Sequence, residues 1–368
     1  MGCRMNSNIV FKQLLYYLRQ VDYHQVIKFP LRKYPIQKET LINELVIFSK
    51  YFLRRNNIFS ISLAPQIYTF LSFNTELKKL RDCFFLNNIV SKNYLESISN
   101  DWLEKAIKAG LVRLENDEDV CFLYRIVPYR NLLLVTSIFD RNEQNFSYLS
   151  YDSIFFADFL TKEIEKNGLN FKNALDLGSG TGILTFAISN YCEKVYGIDL
   201  NPSSINIAKL NSELNYIENC SFICDNFNNC KGKSYDLIIS NPPFIYFKET
   251  STRSLDSDGG EPFGLGITLK IIQLLPELLN EKGRAYILTR SPIVNKEDYL
   301  FSLLSQILPQ DFSYIYHDLS NSIASLDFSK EEDGIEAFHH VIIEIIRDDN
   351  NQRKKIIYPI FYRMTNLF

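Results

Sequence analysis

From Tyr151 onward the chain alternates short apolar runs with stretches of helical periodicity, and this alternation limits the fold more than any other feature. The runs are NALDL (173–177), KVYGIDL (194–200), CSFICD (220–225), YDLIIS (235–240), RAYILT (284–289), FSYIYHD (312–318) and FHHVIIEII (338–346). Helical stretches at Ile183–Ser189, Ser203–Asn215 and Gly266–Leu279 lie between the first five. Strands that are apolar on both faces need helices on both faces, so the expected class is α/β: a doubly wound, seven-stranded parallel sheet whose last strand, FHHVIIEII, runs antiparallel. No apolar run approaches the roughly 18 residues that cross a bilayer. The opening MGCRMNSNIVFKQ has no uninterrupted apolar stretch of the secretory kind, so a cytoplasmic protein without membrane contact is expected.

Residues 1–150 have a different character. Apolar residues recur at three and four in Val10–Leu18, Leu41–Phe52 and Ile67–Leu71, which predicts helices. SNDWLEKAIKAG then has a Ser/Asn/Asp start and a terminal Gly110, the marks of a short capped helix with a glycine stop. LVRLE, the turn NDED, VCFLYRIVPY and NLLLVTS follow as strands. A helix followed by a small hairpin predicts a winged-helix-like ending to this domain, for substrate recognition or dimerisation. Its helix, Trp102 to Lys108, is not strongly basic, which argues against a duplex-binding role. The expected domains are therefore 1–150, 151–350 and a basic, aromatic extension at 351–368, suited to clamp a substrate or pair with another subunit.

The net charge of −3 conceals an asymmetry: +7 over residues 1–60, −1 over 61–150, −13 over 151–350 and +4 over 351–368. An acidic central domain does not resemble a nucleic-acid binder, whose cations must neutralise phosphates, and the basic ends are expected to pack near it. The seven cysteines are odd in number and irregular in spacing, so no disulfide framework is expected. Cys220, Cys224 and Cys230 lack CxxC spacing, and no metal site is expected.

DLGSGTGIL runs from the end of the first strand straight into a helix. Gly178, Gly180 and Gly182 let the backbone turn sharply and let a ligand lie against it, with Ser179 inside the turn. The spacing is GxGxG, where a dinucleotide site shows GxGxxG. Asp176, just before the turn, would sit poorly beside a pyrophosphate and well beside an ammonium group, which points to S-adenosylmethionine as the cofactor. Asp199 and Leu200 end the second strand in YGIDLNP, where a carboxylate can accept from both ribose hydroxyls. Asp225 closes the third strand, placed to accept from an adenine amino group while the Asn226 N–H donates to the ring.

These motifs, followed by SNPPF, resemble the class I S-adenosylmethionine-dependent methyltransferases over residues 150–347, which implies a Rossmann-like sheet. SNPPF itself is similar to the (D/N/S)PP(Y/F) signature of enzymes that methylate nitrogen. Amide and exocyclic amino nitrogens are poor nucleophiles because their lone pairs are delocalised. If Asn241 Oδ1 and the Pro242 carbonyl each accept one N–H, the lone pair is directed at the methyl; Phe244 offers a stacking face. Within the family the chain is similar to release-factor-type glutamine methyltransferases and, less closely, to ribosomal RNA guanine-N2 methyltransferases. Phe244 stands where the glutamine enzymes usually carry Tyr.

The expected activity is methyl transfer to an amide or amine nitrogen of a protein, peptide or small metabolite. The alternative is an RNA or DNA base methyltransferase, against which the acidic domain argues. A third, non-enzymatic reading is a cofactor-binding module, against which the intact Asn241 and glycine turn argue. KETSTRSLDSDGGEPFGLG (248–266) is a candidate lid in which Asp256, Asp258 and Glu261 either meet a substrate amine or lie solvated. His24, His317, His339 and His340 are expected to be structural.

Overall fold

The computed structural model describes residues 2–28, 75–96, 98, 101–138, 147, 149–230, 232–247, 257–319 and 334–358. The helices expected at Leu41–Phe52 and Ile67–Leu71, and residue Asp256, lie outside the described residues. Two compact units are formed, within Met1–Ile138 and Phe139–Asn366.

In the first unit, α1 (Gly2–Gln20) buries Val10, Phe11, Leu14, Leu15 and Leu18, the spacing of one helix face. A 3-10 turn, Tyr23–Lys28, is tied across the unit by Tyr23 Oη donating to Ile126 O at 3.1 Å. There follow α2 (Thr75–Phe84), β1 (Val90–Ser91), α3 (Lys92–Glu96), α4 (Trp102–Lys108), β2 (Val112–Leu114) and β3 (Asp119–Phe122). The three strands form an antiparallel sheet of order β1-β3-β2. Trp102 is fully buried among Phe84 and Phe122, and its Nε1–H donates to Val10 O at 3.1 Å. Asp101 occupies the cap position of α4 without capping it; its carboxylate pairs with Lys105 instead. A separate hairpin, β4 (Tyr124–Tyr129) and β5 (Leu132–Ser137), completes the unit.

The second unit opens with α5 (Tyr151–Lys166) and then lays down β6 (Phe171–Leu177), α6 (Ile183–Ile188), β7 (Cys192–Asp199), α7 (Pro202–Leu214), β8 (Cys220–Cys224), β9 (Tyr235–Ser240) and α8 (Gly266–Leu278). It ends with β10 (Leu279–Val294), β11 (Glu297–Asp298), α9 (Tyr299–Ile307), β12 (Phe312–Asp318), β13 (Ile335–Arg347) and β14 (Arg353–Ile357). The sheet has nine strands, not the seven expected, in the order β14-β12-β13-β10-β9-β6-β7-β8 with β11 paired to β10. β13 is antiparallel, as expected of FHHVIIEII, and lies between β10 and β12. Leu, Ile and Tyr side chains of β9, β10, β12 and β13 pack with α8 and α9 into one continuous core, each buried aliphatic chain contributing about 1.5–3 kcal/mol.

Within the extension expected at 351–368, Arg353–Ile357 forms β14, a strand parallel to β12. A lysine-rich segment is held there because its charge is neutralised from elsewhere. Lys355 Nζ lies 2.9 Å from Asp298 and 3.0 Å from Asp318, and 5.2 Å from the ring centroids of both Phe301 and Tyr316. Nearby, buried Glu344 of β13 meets Arg284, Tyr286 Oη (2.9 Å) and His317 Nε2 (3.6 Å). Burial would raise the Glu344 carboxyl, but those partners outweigh it and hold it below the usual range.

The strand order reverses between β6 and β9: the chain steps outward through β7 and β8, then returns to the other side of β6. In open α/β sheets the crevice at such a reversal is where ligands bind.

Candidate active site

Leu177 of β6 pairs with Ser240 of β9, so Gly178 and Asn241 leave neighbouring strands at the same level. Ser240 Oγ donates to Leu177 O at 2.7 Å and locks the two ends together. The glycine turn and the NPPF arm, which leave their strands at residues 63 positions apart in sequence, are therefore one site.

Gly178, Gly180 and Gly182 all have positive φ (78°, 52° and 89°). A Cβ at Gly178 or Gly180 would meet nothing within 4 Å, so what these positions require is the backbone conformation, and open space lies above them. At Gly182 a Cβ would come within 2.7 Å of the Phe186 ring, a packing requirement. The N–H groups of Gly178 and Ser179 donate to Ile198 O at 2.8 and 3.0 Å, and that of Gly180 donates to Asp199 Oδ2 at 2.8 Å. Asp199 Oδ1 accepts the Asn201 N–H at 2.8 Å. Asp199 thus shapes the turn, and with two of its acceptor sites in use it keeps others for a ligand.

Asp176 is fully buried. Its Oδ2 accepts from Thr185 Oγ1 at 2.6 Å, while its Oδ1 and the Ser179 Oγ are buried with no hydrogen-bond partner. Burial pushes the Asp176 carboxyl up to about 7; the Thr185 hydrogen bond opposes this, and the Asp199 charge adds to it. Asp199 is itself raised by burial, against its two main-chain hydrogen bonds. Orphaned buried acceptors beside an open glycine turn suit a ligand that brings a cation and hydrogen-bond donors.

Leu200 (63% exposed) and Ile223 (42%) leave apolar surface uncovered at the ends of β7 and β8. Asp225 is exposed beside them, and its N–H donates to Asp199 O at 3.1 Å. The Asn226 N–H, expected to face the ring, donates here to Asp225 Oδ1 at 2.7 Å, a local turn that also takes Asn229 Nδ2 at 2.7 Å.

On the β9 side, Asn241 Nδ2 donates to Ser153 Oγ at 3.0 Å, and Asn241 Oδ1 is buried without a partner. Pro242 is buried, and the half-buried Phe244 ring meets His340 edge-on at 5.9 Å. The described part of the following loop returns to this arm: Ile245 N–H donates to Ser257 O at 2.9 Å and Gly259 N–H to Ile245 O at 3.0 Å. The loop acids serve its own turns, since Asp258 Oδ1 accepts the Gly260 N–H (3.0 Å) and exposed Glu261 the Phe263 N–H (3.4 Å).

Ser153, Thr185 and Arg290 escaped the sequence reading. Ser150 and Ser153 carry a helix-start signal, and Ser150 Oγ does accept the Ser153 N–H, but nothing local marks a contact with residue 241. Arg290 of β10 is buried opposite His340 in the ladder, with its guanidinium 5.0 Å from the Phe338 ring centroid. His317 is buried, with Nδ1 2.8 Å from Tyr358 Oη, a structural setting. Among the described residues, the one cluster with metal-ligand spacing is Asp298, Asp318 and His339, where Lys355 already supplies the cation. No described helix is long and apolar enough to cross a membrane.

Residues 140–257 match the family model described as methyltransferase small domain. A Methanocaldococcus jannaschii protein provisionally named as a protein N5-glutamine methyltransferase is 35% identical over 141 residues, covering 36% of this chain and 70% of that relative. The release factor glutamine methyltransferase of Buchnera aphidicola is 32% identical over 128 residues (34% of this chain, 46% of the relative). The ribosomal protein uL3 glutamine methyltransferase of Xanthomonas campestris is 29% identical over 159 residues (40% and 49%). The chain thus spans about half the length of the latter two.

Proposed function

This chain belongs to the class I S-adenosylmethionine-dependent methyltransferases, and from that premise we propose that it methylates the side-chain amide nitrogen of glutamine in a protein. The observation that carries the reading is Asn241: its Nδ2 is engaged and its buried Oδ1 is unfilled at the strand end beside the glycine turn. A primary amide brings N–H groups, and Asn241 Oδ1 and the Pro242 carbonyl would each accept one. This holds the nitrogen with its lone pair toward the donor, and the rigid Pro-Pro backbone keeps the carbonyl oriented in advance. No strong base is needed, because the proton leaves after transfer. Phe244 would stack on the planar amide.

When bound, S-adenosylmethionine supplies an electrophilic methyl on a sulfonium. Asp176 and the Gly178–Gly182 turn, with Ser179, would hold its amino acid end. Asp199 would take the ribose, and Leu200 and Asp225 the adenine. The order α2-β1-α3-α4-β2-β3, with its β1-β3-β2 sheet, supports a winged-helix-like module in the first unit. Its β2–β3 turn carries Glu115, Asp117 and Glu118, with Asp119 opening β3, which speaks for a protein rather than a nucleic acid as the partner it recognises. Cys83, Cys121, Cys192, Cys220, Cys224 and Cys230 are free thiols, in keeping with a reducing, cytoplasmic setting.

The test is tritiated methyl transfer from S-adenosylmethionine into fractionated extract, followed by acid hydrolysis of the labelled material. Label recovered from protein as methylamine, released from a methylated amide, is expected. Label confined to nucleic acid or small molecules refutes the assignment.

A pH dependence follows from Asp176. Its carboxyl titrates near 7 and must be ionised to hold an ammonium group, so cofactor binding should release a proton around neutrality. Affinity should fall toward a limit of about tenfold per pH unit below 7. Calorimetry in buffers of different ionisation heat reads both effects, and Asp176→Asn should flatten the profile. Constant affinity from pH 8 to 5.5 rules this role out. In the ligand-free protein the sign is opposite to that of a salt-bridged carboxylate. The folded state keeps a proton that the unfolded chain loses near 3.8, so this stabilising contribution is full below that pH and is lost as pH rises through about 7.

A further inference from the structure

An asparagine amide has nearly the same shape when its oxygen and nitrogen are exchanged, so packing cannot choose which of them faces the acceptor; only hydrogen bonds can. In the wrong orientation Nδ2 would present two N–H groups to an incoming N–H, donor against donor. We infer that Ser153 is a positioning residue that fixes the Asn241 amide with Oδ1 toward the methyl acceptor, an inference that rests on the proposed amide methylation.

The geometry is a short relay from the start of α5 to the end of β9. Ser150 Oγ accepts the Ser153 N–H at 3.2 Å and lies 3.1 Å from Ser153 Oγ. With the Ser153 hydroxyl proton directed at Ser150, the lone pair of Ser153 Oγ faces Asn241 and takes the Nδ2–H at 3.0 Å. One N–H of the amide nitrogen is then engaged, while Oδ1 remains buried and unfilled. Ser153 itself touches no reacting atom. It acts by removing the flipped state and by holding the acceptor oxygen still, where a displacement of about 1 Å can cost on the order of a hundredfold in rate.

The experiment uses the full chain as wild type, Ser153→Ala and Ser153→Thr. Two readouts are taken: hydrogen exchange of the Asn241 side-chain amide by NMR, with the signal identified by its loss in Asn241→Asp, and methyl transfer to a glutamine-containing peptide as probe. Ser153→Ala should speed exchange of the Asn241 amide and lower kcat about ten- to a hundredfold. The KM for S-adenosylmethionine should stay within about twofold, and Ser153→Thr, which keeps the hydroxyl, should restore both readouts. If amide exchange is indifferent to residue 153, the inference is overturned whether or not the peptide is methylated. The same holds if Ser153→Ala loses cofactor affinity in step with kcat, the mark of a merely structural role. If the wild type leaves the peptide unmethylated while amide exchange still responds to Ser153→Ala and recovers in Ser153→Thr, the positioning stands and the glutamine reading fails.

Discussion

Asn241→Ala should reduce methyl transfer about a hundred- to a thousandfold while leaving the dissociation constant for S-adenosylmethionine within a few-fold. The reason is differential: Asn241 Oδ1 is an acceptor with nothing to accept until a substrate N–H arrives, so its removal is felt in the transition state rather than in cofactor binding. The same orphaned oxygen makes an unusual stability forecast. Burying an unfilled acceptor is unfavourable, so the alanine variant should melt no lower than the wild type even though a hydrogen bond to Ser153 is lost. Single-turnover kinetics with calorimetry and thermal unfolding on one preparation check all three statements. A variant that turns over normally removes Asn241 from the chemistry.

Asp199→Ala should act in the opposite compartment, on cofactor affinity. The carboxylate accepts from Gly180 and from Asn201, so its loss frees two main-chain N–H groups and loosens the turn as well as deleting the ribose acceptor. A hydrogen bond to a charged group is worth about 1.5–3 kcal/mol, so affinity should weaken by at least roughly tenfold. Asp199→Asn, which keeps one acceptor oxygen, should fall between alanine and wild type. At saturating cofactor, kcat should remain within a few-fold. Calorimetric titration decides it: wild-type affinity in Asp199→Ala would end the assignment.

What could be read without a structure was whatever is local. The glycine spacing, the acids at three successive strand ends and the Asn-Pro-Pro arm each sit within a few residues of the strand that presents them. Periodicity identified those strands, and the helices between them, to within a few residues. What was not legible has its cause in the same chemistry. Asn226 was assigned to the ligand, but the Asp225 side chain, one residue away, competes for its N–H. The basic ends were expected to pack near the acidic domain, but which groups meet them was not legible: Asp298 and Asp318 place matching charge beside Lys355 from distant points in the chain.

The order of apolar runs and the Gly, Asp, Asn and Pro residues between them determined the fold class, the ligand end of the sheet and the chemistry that end can support, because each is dictated by backbone geometry and hydrogen-bond capacity over short spans. Only the tertiary structure decided that Leu177 and Ser240 pair, that Ser153 holds the Asn241 amide, and that β14 closes the sheet. Those contacts join residues 39 to 88 positions apart, where partner choice depends on which groups the packed core leaves facing one another and no local pattern records it.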